Sequence, residues 1–147
     1  MTKMRFDIVT AERLVFSEEI DILVAPGYLG ELSVLPNHAP LLTTLKPGEV
    51  RMVNGTNETY IAVSGGFLEV TTGKVTILAD TAERAEEIDF DRAEEALRRA
   101  QERVTSHKTD MDLERALSSV KRSQTRLMVA RRRQKRGHKN EPGLPVP

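Results

Sequence analysis

The chain has 147 residues, with 22 Lys+Arg balanced by 22 Asp+Glu and neither Cys nor Trp. That length suits one modest domain plus an appendage, and the missing cysteine excludes a disulfide framework, a thiol nucleophile and Cys-based metal sites. No run of about 18 apolar residues occurs, so no stretch reads as a membrane span. Met1-Thr2-Lys3-Met4-Arg5 leads into alternating residues rather than the apolar core of a signal peptide.

Neutrality hides a division of charge. Residues 1–87 hold 7 basic and 13 acidic side chains, whereas residues 88–147 hold 15 basic and 9 acidic. The halves therefore attract each other, and the basic half is equally suited to another acidic surface.

The first half reads as strands. Phe6 to Thr10, Leu14 to Phe16, Ile20 to Val24, Glu31 to Leu35, Gly48 to Val53, Thr59 to Val63, Gly66 to Thr71 and Val75 to Ala79 carry the alternation or β-branched content of strands. Turn formers separate them: Pro26-Gly27, Pro36-Asn37-His38, Lys46-Pro47-Gly48, Asn54-Gly55, Ser64-Gly65-Gly66 and Thr72-Gly73. Asn54-Gly55 suits a tight hairpin because both residues tolerate positive φ. Short strands at this spacing predict a closed β-sandwich of about ten strands over residues 1–87.

Catalytic chemistry is scarce in this half. Gly73-Lys74 lacks the upstream glycine of a phosphate-cradling loop and is followed by Val75. Ser64-Gly65-Gly66 sits in a strand–turn–strand context and reads as a hairpin corner, not a nucleophile elbow. His38 lies between Pro36 and Pro40 as a loop contact residue, and with His107 and His138 elsewhere no metal cluster is predicted.

From Ile88 the period changes to that of a helix. Asp89 is a predicted N-cap, and Asp91 adds negative charge to the first turn. Helix one spans Phe90 to Val104 with a small-residue stripe of Ala93, Ala96, Leu97, Ala100 and Val104. Thr105 to Lys108 breaks it, and Thr109 with Asp112 starts helix two. Its expected inner face is Leu113, Ala116, Leu117, Val120, Gln124, Leu127 and Ala130, so the helices pair antiparallel over 88–133. Residues 134–147 are expected to form a basic, disordered tail. No aromatic platform accompanies that tail, so nucleic-acid binding is not predicted. The fold class is α+β.

On helix two, Arg115, Arg122 and Arg126 share one side at spacings of 7 and 4. Two guanidinium groups one turn apart offer planar, bidentate donors to a polyphosphate, and Arg92 would add a third if the hairpin closes. The bland alternative is a solvated helix face.

Two runs carry a family likeness: Gly27-Tyr28-Leu29-Gly30-Glu31-Leu32-Ser33-Val34-Leu35-Pro36-Asn37-His38-Ala39-Pro40-Leu41, and Ser64-Gly65-Gly66-Phe67-Leu68-Glu69-Val70 followed by Lys74 to Asp80. Together they resemble the epsilon subunits of F-type ATP synthases. The resemblance covers roughly residues 1–133. It implies a non-catalytic rotor subunit whose sandwich clamps the gamma subunit and the c-ring, with Glu31 and His38 as candidate ring contacts. It also implies a peripheral place at the cytoplasmic face of the bacterial plasma membrane, with membrane association only through the complex.

Some members of that family carry an Ile/Leu-Asp-x-x-Arg-Ala element that binds ATP, and Ile88 to Ala93 matches each fixed position. By that likeness Glu83, Asp89, Arg92, Ala93, Arg122 and Arg126 form a regulatory ATP site. The residues leave a Mg²⁺ requirement open. The resemblance further implies that ATP keeps the hairpin closed. When ATP falls, the basic stripe of Arg115, Arg122 and Arg126 would meet acidic alpha/beta catalytic subunits and inhibit hydrolysis. The alternative is a rigid structural clamp with no switch.

Overall fold

A computed structural model describes residues 2–139, with side chains described as far as Arg132. Among these residues ten strands precede two helices. The strands are β1 Met4–Val9, β2 Leu14–Ile20, β3 Ile22–Gly27, β4 Gly30–Val34, β5 Leu41–Leu45, β6 Gly48–Asn54, β7 Asn57–Val63, β8 Gly66–Thr71, β9 Lys74–Ala79 and β10 Ala82–Arg84. The order β10-β7-β6-β3-β4 forms one layer and β5-β8-β9-β1-β2 the other. The layers meet through the pairing of Gly27 with Leu45. Side chains that alternate inward from both layers, among them Phe6, Ile8, Ile20, Leu23, Val50, Ile61, Leu68 and Ile77, fill the core. The fold is the predicted β-sandwich followed by a helical pair.

Several local expectations need correction. Ile20 to Val24 is not one strand, because Asp21 interrupts it. Its N–H donates to the Val53 carbonyl at 2.8 Å and its Oδ2 accepts from the Gly55 N–H at 2.6 Å. Ile20 pairs with Met4, but Ile22 pairs with Val53, so the chain changes layer at this aspartate. Pro26-Gly27 does not stop the run either. Both belong to β3, and the turn falls at Tyr28-Leu29. At the β6–β7 hairpin Asn54 pairs with Asn57 in the ladder, and only Gly55 of the expected dipeptide takes positive φ, at 62°. The short segments β5 and β10 have weak alternation and were not among the expected strands. Ser64-Gly65-Gly66 is a corner as predicted. A Cβ on Gly66 would meet the Leu78 carbonyl oxygen at 2.1 Å, and its φ of 136° favours glycine.

Beyond β10 a single 3₁₀ turn, Ala85–Glu87, ends against Ile88. Arg84 fixes this junction to the sandwich. Its guanidinium donates to the Val15 carbonyl at 2.8 and 3.2 Å and lies 5.6 Å from the Phe16 ring centroid. Arg13 pairs with Glu87 at 2.9 Å. Then α1 spans Phe90–Thr105, with the Asp89 side chain accepting from the Arg92 N–H at 3.1 Å as the predicted cap. The second helix, α2, spans Asp110–Lys139 and starts where the Thr109 hydroxyl accepts from the Asp112 N–H.

The helices lie antiparallel, but α2 has two buried faces rather than the one expected. Ala116, Leu127 and Ala130 are buried as predicted, while Leu117 is 46% exposed and Gln124 is also exposed. Ser123, Thr125 and Val129 are buried instead. The reason is a second neighbour: the outer face of β7 presents Tyr60 and Ala62, which cluster with Ala85, Ile88, Ala93, Leu127 and Val129. The first helix uses its predicted stripe, with Ala93 and Ala100 fully covered. The backbone of α2 also runs past residue 133 to Lys139, because Gly137 alone costs a helix only about 1 kcal/mol. Residues 140–147 of the expected tail lie outside the described residues.

Candidate functional site

The site follows from how α2 crosses the sandwich. In the ladder, Ala62 of β7 pairs with Glu49 of β6 on one side and Glu83 of β10 on the other. Two carboxylates thus stand on either flank of a small alanine, and α2 lies over the gap. On the β10 flank Arg126 meets Glu83 in a bidentate fork, Nε to Oε2 at 2.6 Å and Nη2 to Oε1 at 3.1 Å. Both side chains are about one-third exposed, so the pair is held in a partly dry setting. On the β6 flank the Arg132 Nε meets Glu49 Oε2 at 3.0 Å, and its guanidinium lies 5.4 Å from the Tyr60 ring centroid. Burial pushes the Glu49 carboxyl above the usual carboxylate range, against the opposing pull of Arg132 and Arg51.

The residues predicted to hold ATP are partly gathered. Glu83 and Arg126, 43 positions apart, are in direct contact. Asp89 and Arg92 sit together at the start of α1, where the Asp89 carboxylate caps the helix and the Arg92 side chain is exposed. Ala93 is fully buried in the cluster beneath α2. Arg122 donates to the Ser119 hydroxyl at 3.1 Å and, with Arg115 and Lys121, lines a cleft of about 780 Å³ between α2 and the sandwich corner of Ser64 and Thr81. Among the described residues no hydrogen bond joins the Arg92 guanidinium to this cleft. The basic stripe is therefore split: Arg115 and Arg122 face the cleft, and Arg126 is engaged by Glu83.

The other predicted contacts, Glu31 and His38, lie on exposed parts of the sandwich. Glu31 is exposed on β4 opposite Pro26. His38 is exposed in a turn where its N–H donates to the Leu35 carbonyl at 3.1 Å and Asn37 takes a φ of 66°. Beside Glu31, Leu29 is 98% exposed at the β3–β4 turn.

Sequence reasoning missed one feature of the free face. Cross-strand neighbours Phe67, Leu78, Val9 and Leu14 form an apolar row across β8, β9, β1 and β2. Phe67, Leu78 and Leu14 are each more than half exposed. Their signal was an alternation in which both faces are apolar, Gly66 to Val70 and Val75 to Ala79.

Comparison with known proteins covers both parts of the molecule. Residues 3–85 match the family model "ATP synthase, Delta/Epsilon chain, beta-sandwich domain", and residues 86–131 match "ATP synthase, Delta/Epsilon chain, long alpha-helix domain". An ATP synthase epsilon chain of Dehalococcoides mccartyi is 51% identical over 136 residues, 92% of this chain and 97% of the relative. One from Desulforamulus reducens is 49% identical over 126 residues, 86% and 96% of the two chains. In fold, the chain resembles one from a structure of the Euglena gracilis mitochondrial ATP synthase (OSCP, F1 and c-ring). That match has a TM-score of 0.76 at 23% identity and covers 87% of this chain and 81% of the other. With matching models over both the sandwich and the helices, and full-length relatives near half identity, the chain belongs to the ATP synthase delta/epsilon family as an epsilon chain.

Proposed function

We propose that this chain is a non-catalytic rotor subunit of the bacterial enzyme, coupling the catalytic head to the proton-driven c-ring, and that its helical arm is an ATP-sensitive brake on hydrolysis. The observation that carries the proposal is the Glu83–Arg126 fork, which ties the arm to the sandwich inside the residue set predicted for ATP. The neighbouring cleft is of ligand size and offers guanidinium groups from Arg115 and Arg122 beside the hydroxyls of Ser64 and Ser119. A ligand that bridges α1, α2 and the sandwich binds the closed arm in preference to an open one. At 100-fold over its dissociation constant it would stabilise the closed form by about 2.7 kcal/mol.

The sandwich is free for docking on its other face. The exposed row of Phe67, Leu78 and Leu14 suits a partner such as the gamma subunit, and Glu31 and His38 at the loop end suit the c-ring. In this reading the protein is held at the cytoplasmic face of the membrane by those partners; no described helix is long and apolar enough to cross a bilayer. Titration calorimetry of the full chain with ATP tests the switch. Binding is expected, with Arg126→Ala weakening it strongly and Asp89→Ala clearly. Undiminished affinity in both variants would leave a structural clamp with no nucleotide switch.

A further inference from the structure

The ATP reading leaves Glu49 and Arg132 unused, and the geometry there is specific. Glu49 is nearly covered, with 11% of its side chain exposed, on the sheet face over which α2 lies. Positions 126 and 132 are six residues apart, a rise of about 9 Å and a turn of about 240° along a helix. That rotation aims the two arginines to opposite flanks, and the flanks are occupied by Glu83 and Glu49 on either side of Ala62. Arg131, one step along, turns instead towards α1, with its guanidinium 6.0 Å from the Phe90 ring centroid.

We infer that Glu49 is a register lock for the arm: it admits α2 onto the sheet only when Arg132 arrives beside it, with or without nucleotide. A covered carboxylate without a counter-charge disfavours burial far more than a neutral residue would. The charged groups facing Glu49 are Arg132 from α2, Arg51 from its own strand and Glu31 from β4. Arg51 also pairs with Glu58 at 3.5 Å, and Glu31 repels, so Arg132 is the counter-charge that arrives with the arm. A helix displaced by one turn so that Met128 takes the place of Arg132 would cover a bare carboxylate. The opposite shift, which carries Arg136 towards Glu49, would leave Ala130 in place of Arg126 beside Glu83. The lock therefore selects one docked position. It presupposes the mobile arm of the proposed function but not the ATP site.

The chain contains no cysteine, so Thr72→Cys on the sandwich and Gln101→Cys on α1 supply spin labels at exposed positions. Distance distributions are recorded on the full chain without nucleotide at neutral pH. Arg132→Ala is expected to raise the open-to-closed ratio by about three- to tenfold, the range for a half-exposed ion pair that loses one partner. Adding Glu49→Gln to Arg132→Ala is expected to restore the closed distribution, because the unpaired charge is gone. Acidification of the single variant is expected to do the same. An unchanged distribution in Arg132→Ala overturns the proposal, as does an open arm that Glu49→Gln fails to close. Arg126→Ala is the control for arm release: if it too stays closed, the mobile arm itself fails. Calorimetry reports separately on whether ATP binds.

Discussion

The sandwich and the arm are held by different physics. The sandwich packs large branched and aromatic side chains from two layers, several of them with no exposed surface, such as Phe6, Ile8, Leu23 and Ile77. The arm rests on a cluster rich in small side chains, Ala62, Ala85, Ala93 and Ala130, together with Tyr60, Ile88, Leu127 and Val129. Two ion pairs, Arg126 with Glu83 and Arg132 with Glu49, flank its contact with the sandwich. Apolar burial is non-directional and hard to reverse piecemeal, whereas paired charges specify position and can exchange partners. The molecule thus joins a body packed from large side chains to an arm docked through small side chains and ion pairs.

The sharpest way to break that contrast is to weaken the body. Phe6→Ala removes a fully buried ring that packs 5.8 Å from Phe16 and is expected to cost about 3–5 kcal/mol of global stability, read from denaturant unfolding. Leu127→Ala attacks the limb. It is expected to cost about 2–3 kcal/mol of docking, seen in hydrogen exchange as faster α1 and α2 amides while sandwich amides keep their protection. Equal acceleration in both regions would mean the two parts unfold as one unit.

The smallest effect is the most diagnostic. The hydrogen bond from Arg13, helped by one from the Arg84 backbone, holds the Glu87 carboxyl below its usual range. Its contribution to the junction is present above the ordinary carboxylate pKa and is lost as pH falls through the depressed value. Glu49 runs the other way. Its carboxyl is raised by burial, so its contribution to docking is full below the ordinary carboxylate range and declines as pH rises through the raised value. An acid titration followed by hydrogen exchange should loosen the amide of Ile88 at the junction while the α2 contact with β7 holds. Glu87→Gln should abolish the first response, whereas Glu49→Gln should keep the α2–β7 contact closed across the whole titration.

Much of this was readable in the chain. Alternation located eight of the strands, the Asp89 cap and the Ala93–Ala100 stripe located α1, and the family likeness placed Glu83 with Arg126. The rest depended on partners distant in sequence. Asp21 reads as an ordinary strand residue until its carboxylate is seen to hold the β6–β7 turn. Thr125 and Val129 lie off the helical stripe, because a helix lodged between two neighbours buries two faces and no single periodicity shows it. Glu49 and Arg132 are 83 positions apart, and neither residue type signals the other.

One connection has a consequence for how the protein is made. The first strand pairs in parallel with the ninth, Arg5 opposite Lys74 through Val9 opposite Leu78. During synthesis, β1 and β2 can zip together early, but the remaining edge of β1 stays bare until roughly sixty more residues have emerged from the ribosome. An interrupted nascent chain would expose a sticky, half-finished edge, so completion of β9 is the moment at which the newborn domain becomes safe from its neighbours.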